Sequence, residues 1–571
     1  MSTASRFFLA SLIALTACKA VDTPEPGEGA GGLSPEERQR VQAVVDRFVD
    51  ATLHDDPDLA REVGLHEFDG QYRPTSLASA AAQIERAKAY LKDTAGLDPM
   101  RLGDPLGLDV ELTRLAAERT VFLLETLERH RRIMSYLGVF DVKSYLLRDY
   151  APLGQRIAKL LDHVEAGTQD VDAILAIQVP VQPRTHLLTA KLAMAGIREY
   201  FQKDVRTAAT PALEADPALK ARYEVIVPKA LAKVDTMLAW VDEHLKTAND
   251  DFALGPEKFL RNIEVNEGLK LSLPELKRMA EENHQKNYDA FVEVARAIDP
   301  KRSVTEVVEL VAKDHLPEAE VIPTAKKQLV ELELFIREKK ILTIPKDAPR
   351  CDVEVTPPFM RWNSAFLEPA GPFEKVEGSY YYLSPPDPSW SKEVQESYLP
   401  YAGDLLATSV HEVYPGHFVH SLTTRRAASR VQKIFGSYAF TEGWAHYAEQ
   451  MMIDEGFGGG DKRLRLGQLS NALLRNCRFI AAIGLHTEGM TVEAAQELFE
   501  KKCFIDPGNA KQQAYRGTFD PGYLSYTLGK LQIIALRSKF AARRHEDGLG
   551  AFHDWLLSFG APPLALVERR L

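Results

Sequence analysis

Apolar residues recur every three or four positions from Ser34 to about Ala248, the period of helices that bury one face. Ser34-Pro35-Glu36-Glu37 opens the first of these with a capping residue, proline in the first turn and early acids. Val41, Val44, Val45, Phe48 and Val49 then form its apolar stripe, and longer stripes run over Val110 to Tyr136 and Pro217 to Lys246. The chain turns around Asp250 to Pro256 and resumes helically through Lys340. Between Ile341 and Pro400 the texture changes: prolines, glycines and aromatics concentrate and the period shortens towards two. Cys351 to Phe359 and Gly378 to Ser384 are the expected strands, limited by prolines to edges or short pieces. Ser379-Tyr380-Tyr381-Tyr382-Leu383 is the candidate free edge, with Tyr381 a substrate contact; packing of those tyrosines into the core is the competing reading. Further helices are expected from Leu399–Asp404 to His411, from Phe440 to Met452, over Leu464 to Leu485, and from Thr491. The predicted fold is mainly α, a large helical body with a small sheet beside a cleft.

Candidate chemistry concentrates in His411-Glu412-Val413-Tyr414-Pro415-Gly416-His417 and Thr441-Glu442-Gly443-Trp444. In the zinc motif H-E-x-x-H the histidines share one helical face at i and i+4, and the intervening Glu is the general base. Here they are six apart, which on a straight helix separates them by about 120° and about 9 Å along the axis. Pro415 and Gly416 allow two residues to be looped out as a bulge, bringing His417 to the second ligand position and leaving Glu412 as base. Glu442, on a second helix, completes a His, His, Glu set for Zn²⁺ with an open position for water. His420, three residues after His417, is an alternative ligand or an outer partner. His446 and Glu449 follow Glu442 on one helical face, where they would orient a ligating imidazole.

H-E-x-x-P-G-H, then E-G-W-A-x-Y-A-E from Glu442 to Glu449, then S-Y-x-x-G from Ser525 to Gly529 resembles the bacterial family of domain of unknown function 885. Gly64-Leu65-His66 and Gly255-Pro256-Glu257-Lys258-Phe259 extend the likeness over most of the chain. The resemblance implies a zinc-peptidase-like protein related to the gluzincins. The family commonly carries Gln at the position of His420, and an Asp four residues before His486, where this chain has Ala482. Tyr526 matches the family's S-Y-x-x-G tyrosine and is the first candidate for stabilising an oxyanion, with Tyr523 and His486 behind it. Arg516 is a candidate for binding a substrate carboxylate, against a structural ion pair. His130, His163 and His186 read as ordinary surface or core residues.

Composition adds a destination and excludes one class of partner. Arg6, the apolar run Phe7 to Leu15 and the lipobox Leu15-Thr16-Ala17-Cys18 read as a lipoprotein signal, with residues 1–17 removed and Cys18 acylated. An ordinary signal peptide with an incidental cysteine is the alternative. Residues 18–33, rich in Pro, Gly and Glu, would tether lipid to a single catalytic domain over 34–571, whose helical and metal-site halves meet near residue 250. The net charge of −11 leaves no basic stripe for nucleic acid, and 45% hydrophobic residues suit a large buried core. Cys351, Cys477 and Cys503 leave room for one disulfide in an oxidising compartment.

The residues together predict a lipid-anchored, zinc-dependent peptidase of the cell envelope acting on short or unfolded peptides. The competing readings are a non-catalytic envelope-binding lipoprotein and a zinc amidase acting on a non-peptide or cell-wall amide.

Overall fold

A computed structural model describes residues 33–133, 138–357, 360–361, 364–544 and 548–571. Cys18, the signal segment, nearly all of the tether, Tyr136 and Phe359 lie outside them. The protein is mainly α-helical with one three-stranded sheet. Its first helix, Pro35–Asp55, starts as the sequence dictates: the Ser34 side chain accepts from the Glu37 backbone while the Glu37 side chain accepts from the Ser34 backbone. Val41, Val45, Val49 and Leu53 bury its inner face in one apolar cluster that also holds Leu108, Leu112, Val431, Ile434 and Phe435. The N-terminal helices therefore share a core with the half that carries the histidines. No helix among the described residues is long and apolar enough to cross a membrane.

The sheet has the order β1-β3-β2, with β1 at Cys351–Val355, β2 at Ala365–Glu368 and β3 at Ser379–Leu383. β3 is parallel to β1, with Val353 opposite Tyr381, and antiparallel to β2, with Leu367 opposite Tyr381. The expected free edge, β3, is thus the central strand. Tyr381 is fully buried, its hydroxyl 3.5 Å from Ser409 Oγ, so it packs the core and offers nothing to a substrate. The strand that reaches the histidine-bearing segment is β2, through its Leu367 amide to Glu412, and it is only four residues long and without the alternation that marks a strand in sequence.

Two glycines set the helix crossing that carries the site. A Cβ on Gly443 of helix Tyr438–Asp454 would lie 2.6 Å from Gly529 Cα in helix Ser525–Arg543. A Cβ on Gly529 would lie 1.8 Å from the Ala439 carbonyl oxygen, so any larger residue at either position forces the helices apart. Backbone contact at this point brings Glu442, beside Gly443, and Tyr526, one turn before Gly529, to the same side of the crossing.

Candidate metal centre

The segment joining the two histidines is a break between helices, where the sequence suggested a bulge within one. Helix Ala402–Glu412 ends at the general-base candidate, and helix His417–Thr424 begins at the second histidine. The four residues between are absorbed by hydrogen bonds that reach back further than a regular helical turn: the Tyr414 amide meets the Ser409 carbonyl, five residues back, at 3.3 Å, and the Gly416 amide meets the Val410 carbonyl, six back, at 3.0 Å. A Cβ at Gly416 would sit 1.8 Å from the His411 carbonyl oxygen, so the chain folds back tightly enough to require glycine. The Trp444 indole closes the bend by donating to the Pro415 carbonyl at 2.9 Å. The two imidazoles meet at nearly right angles, their centroids 4.7 Å apart.

Glu442 enters from the neighbouring helix. Its Oε2 lies 3.4 Å from His411 Nε2 and 3.4 Å from His417 Nε2, and the three donor atoms are within 4.8 Å of one another. That oxygen is buried and makes no hydrogen bond. A carboxylate oxygen held without a donor between two imidazole nitrogens is the arrangement a cation satisfies. The His411 side chain is nearly sealed, whereas those of His417 and Glu442 are each 17% exposed, so the cluster opens to solvent on their side. The donor set, two imidazoles and one carboxylate, fits Zn²⁺.

Behind His411, Nδ1–H donates to Glu449 Oε1 at 2.7 Å, which fixes the tautomer that leaves Nε2 to ligate. Arg475, from helix Lys462–Thr487, forms an ion pair with the same Glu449 oxygen at 3.0 Å, and His446 Nδ1 lies 3.3 Å from its other oxygen. Burial pushes the Glu449 carboxyl up, but Arg475, His446 and His411 outweigh it and hold the group ionised. Burial disfavours a charged His411, yet Glu442 and Glu449 raise its pKa to about 9. Glu442, against the desolvation of its partly covered carboxyl, is drawn well below the usual carboxylate range by His417 and His411. Metal binding would replace protons that this cluster otherwise retains.

Glu412 stands outside the three ligands. Its Oε2 accepts from the Leu367 amide of β2 at 2.9 Å, which anchors one carboxylate oxygen. Tyr526 is the oxyanion candidate that the structure brings here. Its ring lies nearly parallel to His411 at 6.4 Å, with the Arg475 and Arg478 guanidiniums 5.4 and 5.0 Å from its centroid.

Other sequence candidates face elsewhere. His420 turns away: its Nε2 donates to the Gly560 carbonyl at 3.0 Å and its ring stacks on Phe440. Tyr523 is fully buried, its hydroxyl against Gly517. His486 follows Arg475 by eleven residues on one helix, about 16 Å further along the axis, and donates Nε2–H to the Gly517 carbonyl at 2.8 Å. Ala482 sits one turn before it in the apolar core. An Asp there would favour an imidazolium, whereas burial lowers the His486 pKa to about 4 and keeps the ring neutral. Arg516 is occupied by Asp520 at 2.9 Å and by the Tyr438 hydroxyl at 2.8 Å.

Sequence reading missed Arg475, Leu367 and Lys530. Lys530 is buried near His446 and Glu449, and its Nζ has no hydrogen-bond partner among the described residues. Arginine and lysine inside apolar helices were the available signal for the two cations, because a buried charge demands a partner.

A second trio, His284, Cys477 and Cys503, also brings its donor atoms within 4.8 Å of one another. Its sulfurs are joined as a disulfide, and His284 Nε2 is 3.2 Å from the Lys502 carbonyl.

The same architecture occurs in two solved bacterial structures. One is a candidate lipoprotein of unknown function from Shewanella oneidensis, 22% identical, with a TM-score of 0.78 over 93% of this chain and 99% of that one. The other, a candidate lipoprotein from Colwellia psychrerythraea, is 16% identical, with a TM-score of 0.77 over 93% of this chain and 98% of that one. No curated protein matches the chain. The family model described as bacterial protein of unknown function (DUF885) matches residues 57–571, nearly the whole chain, which therefore belongs to that family.

Proposed function

We propose that the protein is a zinc-dependent hydrolase of peptide bonds, with a gluzincin-like site in a single catalytic domain, anchored by lipid at Cys18 in the bacterial cell envelope. The observation that carries this reading is the orphaned Glu442 oxygen facing two imidazole nitrogens, with a carboxylate outside that set held beside them by a strand amide. A closed metal-storage site needs the three ligands but no neighbouring base. Zinc, when bound, supplies a Lewis acid that polarises a carbonyl and acidifies water.

The chain's own residues supply the rest. Glu412 takes the proton of the attacking water on the oxygen that Leu367 does not hold, as the new C–O bond forms. It then passes that proton to the leaving nitrogen as the C–N bond breaks. Tyr526 donates to the oxyanion, and Glu449 keeps His411 in its ligating tautomer. Helices enclosing the cluster favour short or unfolded peptides.

Glu412→Gln tests the assignment. Zinc content should be unchanged while hydrolysis of a mixed peptide library falls about 10²–10⁴-fold. Undiminished turnover in this variant overturns Glu412 as base.

A second reading, a non-catalytic envelope-binding lipoprotein on the same scaffold, draws on the two similar structures, both of candidate lipoproteins. Zinc bound by the intact protein with no cleavage of the library would decide for it, or for an amidase acting on a cell-wall amide.

A further inference from the structure

A cavity of about 870 Å³ lies behind Tyr438, on the far side of Tyr526 from His411, a volume within the range that holds small-molecule ligands. Tyr438 and Ser525 line it. Tyr438 lies one turn before Glu442 and packs edge-on against Tyr526 at 5.7 Å, so two rings separate the cavity from His411. Acids and bases both line the cavity, but they are not equivalently engaged.

Glu267 accepts from the Ser437 hydroxyl, from the Ala439 amide at 3.0 Å and from the Ser525 hydroxyl at 3.4 Å. Asp520 is bound by Arg516 at 2.9 Å and Glu128 by Arg131 at 2.7 Å, while Asp251 is solvent-exposed. Arg119 and Arg132, both half-buried on the wall, make no side-chain hydrogen bond or ion pair among the described residues. Glu267 acts on the Arg119 charge from nearby, with its own oxygens already committed to other donors. The result is a local surplus of uncommitted guanidinium in a protein of net charge −11.

We propose that this cavity is the subsite for a free carboxylate of a short peptide, with Arg119 and Arg132 as its charged contacts. The proposal rests on the hydrolase reading for its substrate class. A planar guanidinium binds a carboxylate through two parallel hydrogen bonds, and two such groups discriminate against a neutral amide.

The test compares acetyl-tetraalanine with its C-terminal amide, by calorimetric binding to the full-length chain carrying Glu412→Gln, with and without added zinc. The free acid should bind about tenfold tighter or more. Arg119→Gln and Arg132→Gln should each erode that preference without weakening the amide, and Arg119→Lys should restore part of it. Thermal melting checks that each variant folds. Equal affinity for acid and amide overturns the proposal, as does absence of binding at millimolar peptide. A preference that survives the double variant places the carboxylate elsewhere and also overturns it. Hydrolysis is measured separately on the intact protein: a preserved acid preference without cleavage leaves the subsite standing and removes the hydrolase reading.

Discussion

Two trios of ligand-type side chains among the described residues each bring their donor atoms within 4.8 Å of one another, and they differ in what those atoms have left to give. In the His284, Cys477 and Cys503 group the sulfurs are bonded to each other, and His284 Nε2 is at the Lys502 carbonyl. In the His411, His417 and Glu442 group a carboxylate oxygen is buried without a hydrogen bond, and an outer carboxylate sets the tautomer of one imidazole. Proximity of donors is therefore a poor criterion for a metal site. Uncommitted lone pairs, backed by groups that hold them in place, are the better one.

The contrast predicts opposite consequences of disruption. Cys477→Ala with Cys503→Ala should lower stability by about 3 kcal/mol, given the 26-residue separation, while zinc stoichiometry stays the same. A chemical-denaturation curve and a metal analysis check both halves, and zinc lost with the cysteines would merge the two trios into one account. Glu449→Gln should instead weaken zinc about 10–100-fold in a competition titration, with a stability cost of its own because the buried Arg475 guanidinium loses its carboxylate. Unchanged affinity would remove Glu449 from the support of the site.

Asp109 sharpens the comparison from a third side, being a buried carboxylate whose partners are in place. It accepts from the Ser429 hydroxyl at 2.6 Å and from Gln432 at 3.4 Å, yet burial raises its pKa to about 6. Because the folded value exceeds the unfolded one, the folded state binds more protons between about pH 4 and pH 6. Stability should therefore fall as pH rises through that window, by about 1–2 kcal/mol. Asp109→Asn keeps the accepting oxygen and should flatten the fall, measured as the wild-type minus variant difference in melting temperature against pH. A difference that does not change with pH contradicts the assignment.

The convergence of the candidate metal centre's residues was legible because they are local in sequence. His411, Glu412 and His417 sit within one short segment, and Glu442, His446 and Glu449 share one helical face. The helix break was less legible: Pro415 and Gly416 announced an irregularity, but only the approach of Gly416 to the His411 carbonyl reveals its form. The direction of a side chain beyond its own helix was not legible at all. His420 is one turn from His417 yet meets the Gly560 carbonyl, a contact made across 140 residues. Tyr381 and β2 failed for a related reason, since strand order depends on pairings that periodicity does not encode.

Zinc K-edge absorption on the full-length protein supplied with one equivalent of zinc tests the central claim most directly. Nitrogen and oxygen neighbours at about 2.0–2.2 Å, two of them imidazole, with no sulfur and with the signal lost in His417→Ala, are the predicted result. A sulfur neighbour at about 2.3 Å, or a folded chain that retains no zinc, would contradict it.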